Sequence, residues 1–370
     1  MVEEVILSSK ELNIVLNVLT DKSSYVSIYS PLLRVELLSF DFYNLNEFEL
    51  IDEPTFTSMV NEYKDKLMRV EKRLRSRLLN EVPNYSHLRD ALHISGALPF
   101  KRVSELISDL NDLLASPPSI EKPKLTVLAL DTNTFYLRLP TNYLLKLKIK
   151  PTLVISTAVC SEISSNLSES LRNKELLSRL RSLFSHLTRP DEVFFLGVES
   201  FKARRALLAF SELFKVKNEF EYHLIETEGF GDEAIVNSYK SFELKSKNRV
   251  VFITLDERAR ALAASPHILL ESKYVEQVSV KEMASRVKLT YESLPKLLHT
   301  LATYFMLIRV SCGAHQVLIK GVWRWKRTED WLIENVRVKS RGTVMKRVVR
   351  DLRRLREVER VLRKARTYRI

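Results

Sequence analysis

Between about residues 124 and 285 the chain alternates short apolar runs, rich in β-branched residues, with stretches of helical character. The apolar runs are "LTVLAL" (125–130), "TLVIS" (152–156), "EVFFLGV" (192–198), "RVVFITL" (249–255) and "HILLES" (267–272). Each is short and nearly continuous in its hydrophobicity, as strands covered on both faces are. Helices are expected at 156–186, 200–216 and 232–243, and again after Asp256. That alternation predicts an α/β domain with a central, mainly parallel sheet flanked by helices.

The flanking sequence reads differently. "FTSMVNEYKDKLMRVEKRLRSRLLNEV" (56–82) places Met59, Tyr63, Leu67 and Val70 at helical spacing, with cations on the other face. A second helix is expected in "VSELISDLNDLLAS", before "SPPSIEKPK", whose three prolines mark a boundary. Residues 1–120 are thus a mixed, largely helical region, and 124–285 the α/β domain. Residues 286–370 carry an apolar helix near 286–309, a tryptophan-bearing β-hairpin turning near "RTED", and a long basic helix from Thr343.

In an open parallel sheet, function gathers at the carboxyl ends of the strands. There the sequence sets acids in order. Asp131 ends the first strand, Glu162 lies about two turns into the helix after the second, and Asp232 begins a helix after Gly-Phe-Gly. Thr254 and Asp256 end the fourth strand candidate. Singly, each has an ordinary explanation: Asp131, Asp232 and Asp256 suit helix caps, and Glu162 a solvated helix face. Together, four converging carboxylates without basic partners would repel one another and raise their pKa values. A hard divalent cation, Mg²⁺ or Mn²⁺, relieves that conflict with oxygen ligands alone.

These segments resemble the motifs of the PIN-domain nucleases. "LALDTNTFY" looks like the family's opening strand and Asp-x-Asn turn, and "STAVCSEI" resembles the second motif. "GDEAIV" is similar to the third and "VVFITLDERA" to the fourth. The resemblance covers roughly residues 124–285. It implies a PIN-like α/β fold and metal-dependent cleavage of RNA, or less often DNA. Asp131, Glu162, Asp232 and Asp256 would hold one or two Mg²⁺ or Mn²⁺ ions, and a metal-activated water would leave 5′-phosphate and 3′-hydroxyl ends. It also implies that Asn133 orients Asp131, that the Thr254 hydroxyl bonds phosphate or a metal-bound water, and that Glu233 is an extra ligand. The chain departs from a compact PIN domain by about 70 residues between Glu162 and Asp232, including the basic helix "FKARRALLAFSELFKVK". The alternatives are a non-catalytic PIN-fold protein that binds nucleic acid or serves as a scaffold, and a structure-specific DNA nuclease.

Charge supports a polyanionic partner. The net charge is +13, and from Arg341 to Ile370 there are 12 Lys or Arg against 3 Asp or Glu, a surplus of +9. Nucleic acid, RNA first, is the partner expected, with a second copy of the chain as the other candidate for the terminal helix. Arg350, Arg353 and Arg354 of that helix are candidate phosphate contacts. So are Arg324, Lys326 and Arg327, which interleave with Trp323 and Trp325. Strand alternation there predicts the two tryptophans on a core face and the cations outward.

Other classes are disfavoured. No Gly-rich phosphate loop, nucleophile elbow or Cys/His zinc pattern occurs. Two cysteines, and an acidic start with no positive segment before an apolar run, suggest a reduced, cytoplasmic setting without a membrane span.

Overall fold

In the computed structural model, which describes residues 2–68, 72–116, 125–167, 182, 199–323 and 326–367, the chain opens on a strand, not a helix. Strand β1 (Val2–Ser8) leads into helix α1 (Leu12–Leu19) and strands β2 (Tyr25–Ser30), β3 (Val35–Asp41) and β4 (Phe48–Leu50). Helices α2 (Glu53–Met68), α3 (Lys72–Glu81), α4 (Tyr85–Ser95) and α5 (Val103–Ala115) follow. The buried stripe of α2 is Phe56, Val60, Tyr63 and Leu67, a strict helical repeat.

The middle of the chain builds the parallel sheet. Strand β5 (Thr126–Leu130) is followed by short helices α6 (Thr132–Tyr136) and α7 (Leu139–Tyr143), then β6 (Leu153–Ser156) and α8 (Thr157–Ser165). Helix α9 (Phe201–Glu219), β7 (Tyr222–Ile225), α10 (Asp232–Ser246), β8 (Arg249–Thr254), α11 (Glu257–Ala263), β9 (Ser272–Tyr274) and α12 (Met283–Arg286) complete it. The strand order is β7-β6-β5-β8-β9, every pair parallel, with Leu128 of β5 opposite Leu153 and Val251. β5 is central and buried almost throughout. The expected α/β sheet is therefore present.

Two details of that sheet differ from the sequence reading. "HILLES" is mostly a turn: Leu269 takes φ 48°, Leu270 donates back to Ala263, and β9 starts only at Ser272. β7 was not expected because Tyr222, His223 and Leu224 are exposed, so this edge strand has no apolar run to betray it. "EVFFLGV" and most of the helix expected over 156–186 lie outside the described residues.

The chain then returns through helix α13 (Ser293–Tyr304), strands β10 (Leu307–Cys312) and β11 (His315–Lys320), helix α14 (Thr328–Leu332), strand β12 (Asn335–Arg341) and helix α15 (Thr343–Thr367). These strands pair with the first ones in a seven-stranded antiparallel sheet of order β1-β12-β11-β10-β2-β3-β4. Val5 sits opposite Val338, and Val310 opposite Ile28. The stretches 1–120 and 286–370, expected as separate regions, thus share one sheet. Local periodicity carries no information about pairing across some three hundred residues.

The apolar helix is shorter than 286–309, because Met306 adopts φ 63° and β10 begins at the next residue. The hairpin turns at Gly313, whose φ is 55°, rather than at "RTED", which forms α14. Two compact units result. One is formed by the described residues of Met1–Ala91 and Lys288–Ile370, the other by those of Leu92–Ser170 and Glu199–Val287.

Candidate functional site

β5 and β8 are neighbours, yet the chain leaves them in opposite directions, from β5 towards β6 and from β8 towards β9. In open sheets such a reversal marks the usual ligand position, beyond the carboxyl ends of the strands. Asp131 follows β5 and Thr254 ends β8. The Thr254 hydroxyl donates to Asp131 Oδ2 at 2.8 Å, and the Asp131 backbone N–H donates to the Ile253 carbonyl. Asp131 Oδ1 accepts from the Thr132 N–H at 2.7 Å, so it also caps α6.

Asp131 is only 2% exposed. Burial pushes its carboxyl up to about 6, against the opposing hydrogen bonds of Thr254 and Thr132, and the charges of Asp232 and Glu162 push the same way. Three of the four acids are therefore electrostatic neighbours. Glu162, on the second turn of α8, accepts from the Thr132 hydroxyl at 2.7 Å through Oε2. Thr132 so holds two carboxylates at once, one by its amide and one by its hydroxyl.

Asp232 is the first residue of α10, and Gly231 stands at its cap, so the expected capping role falls away. Asp232 continues the stripe of Ile235, Val236 and Tyr239, all buried, at i, i+3, i+4 and i+7. Asp232 itself is half-buried at the exposed end of that stripe. Glu233, turned by one residue, is exposed. Asp256 is reached through Thr254, whose hydroxyl accepts from the Asp256 N–H at 2.9 Å. The Asp256 carboxylate caps α11, accepting from the Arg258 and Ala259 amides.

The other two supporting residues are placed as follows. Asn133 is exposed and is not among the partners of Asp131, which Thr132 and Thr254 hold instead. The Thr254 hydroxyl is fully buried and bridges Asp131 and the Asp256 backbone. Tyr239 was missed. Its buried hydroxyl donates to the Leu130 carbonyl at 2.6 Å and accepts from the Ser156 N–H at 3.2 Å, joining the carboxyl ends of β5 and β6 beside Asp131. Burial raises that phenol far above the ordinary tyrosine range. Its place on the Asp232 stripe was the one signal available.

Among the described residues, none of the four carboxylates is ion-paired, and no three His, Cys, Asp or Glu side chains are grouped so as to hold a metal ion. The donor set is oxygen only. Asp131 feels the charges of Glu162 and Asp232, and hydroxyls and amides are the partners of Asp131 and Glu162, a composition that suits a hard cation.

The basic candidates belong to the other unit. Lys326 is 8% exposed, not outward: Nζ donates to the Gly321 and Asn335 carbonyls at 2.7 and 2.8 Å. It lies over the Trp323 and Trp331 rings, 4.5 and 3.7 Å from their centroids, and both rings are buried. Alternation failed here because Trp323, Lys326 and Arg327 do not lie in a strand. Arg324 and Trp325 lie outside the described residues. Arg327 is exposed.

On α15, Val344, Met345, Val348 and Leu352 are buried, and Arg347 and Arg356 clip the helix to Asp21 and Glu11. Arg353 is exposed, Arg350 donates to Asp351 at 2.9 Å, and Arg354 lies 3.9 Å from the same carboxylate.

Comparison with known proteins gives no match to a protein-family model and none to a curated protein. Among the described residues, no helix is long and apolar enough to cross a membrane.

Proposed function

We propose that the parallel-sheet unit is a PIN-like nuclease domain that cleaves RNA with a divalent cation. The observation that carries this reading is Asp131: a buried carboxylate ends the central strand, with Glu162 and Asp232 as charge neighbours and no cationic partner among the described residues. Asp131, Glu162 and Asp232 would hold Mg²⁺ or Mn²⁺, with Asp256 beside them. When bound, the ion would neutralise the acids and provide Lewis-acid chemistry at a phosphodiester. The chain's own residues would do the positioning. Thr254 and Thr132 fix the Asp131 oxygens, Thr132 also fixes Glu162, and Tyr239 holds the strand ends that carry them.

The test uses the full chain, Mn²⁺ and a labelled single-stranded RNA. Asp131→Asn and Asp256→Asn are each expected to lower cleavage by at least about a hundredfold while leaving salt-sensitive binding in place. An unchanged rate in Asp131→Asn, or full activity in excess chelator, overturns the site. Binding without cleavage by the unaltered chain would favour the scaffold reading. Preference for branched or flapped DNA over RNA would favour the DNA nuclease.

A further inference from the structure

The segment joining β7 to α10, "ETEGFG", carries the most exposed large apolar side chain among the described residues: Phe230, at 85%. Its neighbours explain how it is presented. Gly229 and Gly231 have φ of 93° and 85°, a backbone that residues with a Cβ rarely adopt. Open space surrounds them: a Cβ on Gly231 would meet nothing within 4 Å, and one on Gly229 only the Ala234 methyl at 3.6 Å. The base of the turn is anchored. The Thr227 N–H donates to Thr157 Oγ1 at 3.0 Å, and its hydroxyl bonds Ser156 Oγ at 2.5 Å, both at the start of the helix that carries Glu162. At the other end, the Ile235 N–H donates to the Gly231 carbonyl and opens α10.

Phe230 is thus an aromatic ring on an anchored turn, two residues from Asp232. Their Cα atoms are at most about 7 Å apart. It adds nothing to the core, and the glycines beside it serve the turn, not a packing contact. A flat apolar face beside acids that would bind a cation suits an unpaired nucleobase, whose π-face stacks while its phosphate is held nearby. A base-paired duplex keeps its base faces stacked and offers nothing comparable.

We infer that Phe230 is a specificity-determining residue that stacks on an unpaired base of the substrate, selecting single-stranded over duplex nucleic acid. The inference rests on the nuclease reading of the neighbouring carboxylates for its substrate class, and on the exposure and anchoring of the turn for its residue.

The experiment compares the unaltered full chain with Phe230→Ala and Phe230→Tyr. Each is titrated with a labelled single-stranded oligoribonucleotide and with an abasic strand of the same length, and cleavage is followed with Mn²⁺. Phe230→Ala is expected to weaken binding and raise KM for the base-bearing strand by roughly five- to a hundredfold. Phe230→Tyr should stay near the unaltered chain, and the abasic strand should not distinguish the three. At 85% exposure the substitution leaves folding intact, which equal melting temperatures would verify. Equal binding of both strands by Phe230→Ala and the unaltered chain overturns the stacking role; if cleavage persists, the nuclease reading survives it. Phe230-dependent binding without cleavage supports stacking and removes the nuclease reading. No binding of either strand by the unaltered chain overturns both.

Discussion

Asp131 is held in a place that favours its protonated form. Its carboxyl titrates near 6 in the fold against 3.8 for an ordinary aspartate, chiefly through burial. A folded state that binds the proton more tightly loses stability as pH rises through the interval between the two values, roughly 4 to 6, and stays lower above it. The full difference is about 3 kcal/mol. In chelator-treated protein, Asp131→Asn should therefore raise the melting temperature at pH 7.5, with a gain that shrinks as pH falls towards 4. Mn²⁺ should raise the melting temperature of the unaltered protein at pH 7.5 and act much less on Asp131→Asn, because only an ionised site gains from the cation. Lys326 makes the opposite case at the same scale. It is a buried cation satisfied by two carbonyls and two indole rings. Lys326→Met should cost roughly 1–3 kcal/mol in urea unfolding, because the carbonyls lose their donor. It should leave the salt dependence of nucleic-acid binding unchanged.

At the scale of elements, α10 shows how a helix can carry both core and site. One stripe holds Asp232, Ile235, Val236 and Tyr239, so the packing that buries three of them also aims the fourth. Tyr239→Phe keeps the ring and deletes the hydroxyl shared by Leu130 and Ser156. The expected loss is about 1–3 kcal/mol, measured by denaturant unfolding. On the proposed reading, kcat should fall as well, since the ends of β5 and β6 are no longer joined. In the antiparallel-sheet unit α13 packs directly against Gly321. A Cβ there would stand 2.3 Å from the Ala302 carbonyl carbon and 2.4 Å from the Thr303 nitrogen, both backbone atoms unable to yield. Gly321→Ala is expected to destabilise by about 3–5 kcal/mol, or to prevent folding, as read by soluble yield and melting temperature.

For the whole molecule, the basic terminal helix is partly framework. Val344, Met345, Val348 and Leu352 fill the core beneath it, so removing residues 343–370 would damage the unit as well as any binding surface. Charge removal on its outer face is the cleaner probe. Arg350→Gln, Arg353→Gln and Arg354→Gln together should barely move the melting temperature, since their pairs are exposed. If all three meet phosphates, the slope of log affinity against log salt should flatten by roughly 2–3.

The sequence by itself determined much of the parallel-sheet unit. Strands β5, β6 and β8 are buried on both faces and reveal themselves as apolar runs, and Asp131, Thr254 and Asp256 follow from where those runs end. The helices after them were legible because Ser156 and Asp256 cap them with side chains suited to that position. Tertiary structure alone decided the rest. The edge strand β7 and the pairing of β1 with β12 depend on partners distant in sequence, to which no local period points. Lys326 read as an outward cation until the fold brought Trp331 and two carbonyls around it. The hydroxyls of Thr132 and Thr254, which hold acids, and of Tyr239, which joins the strand ends beside them, act across 30, 123 and 109 residues of chain. Hydrogen bonds of that span exist only once the strands have paired, because pairing sets which strand ends, and therefore which side chains, come together.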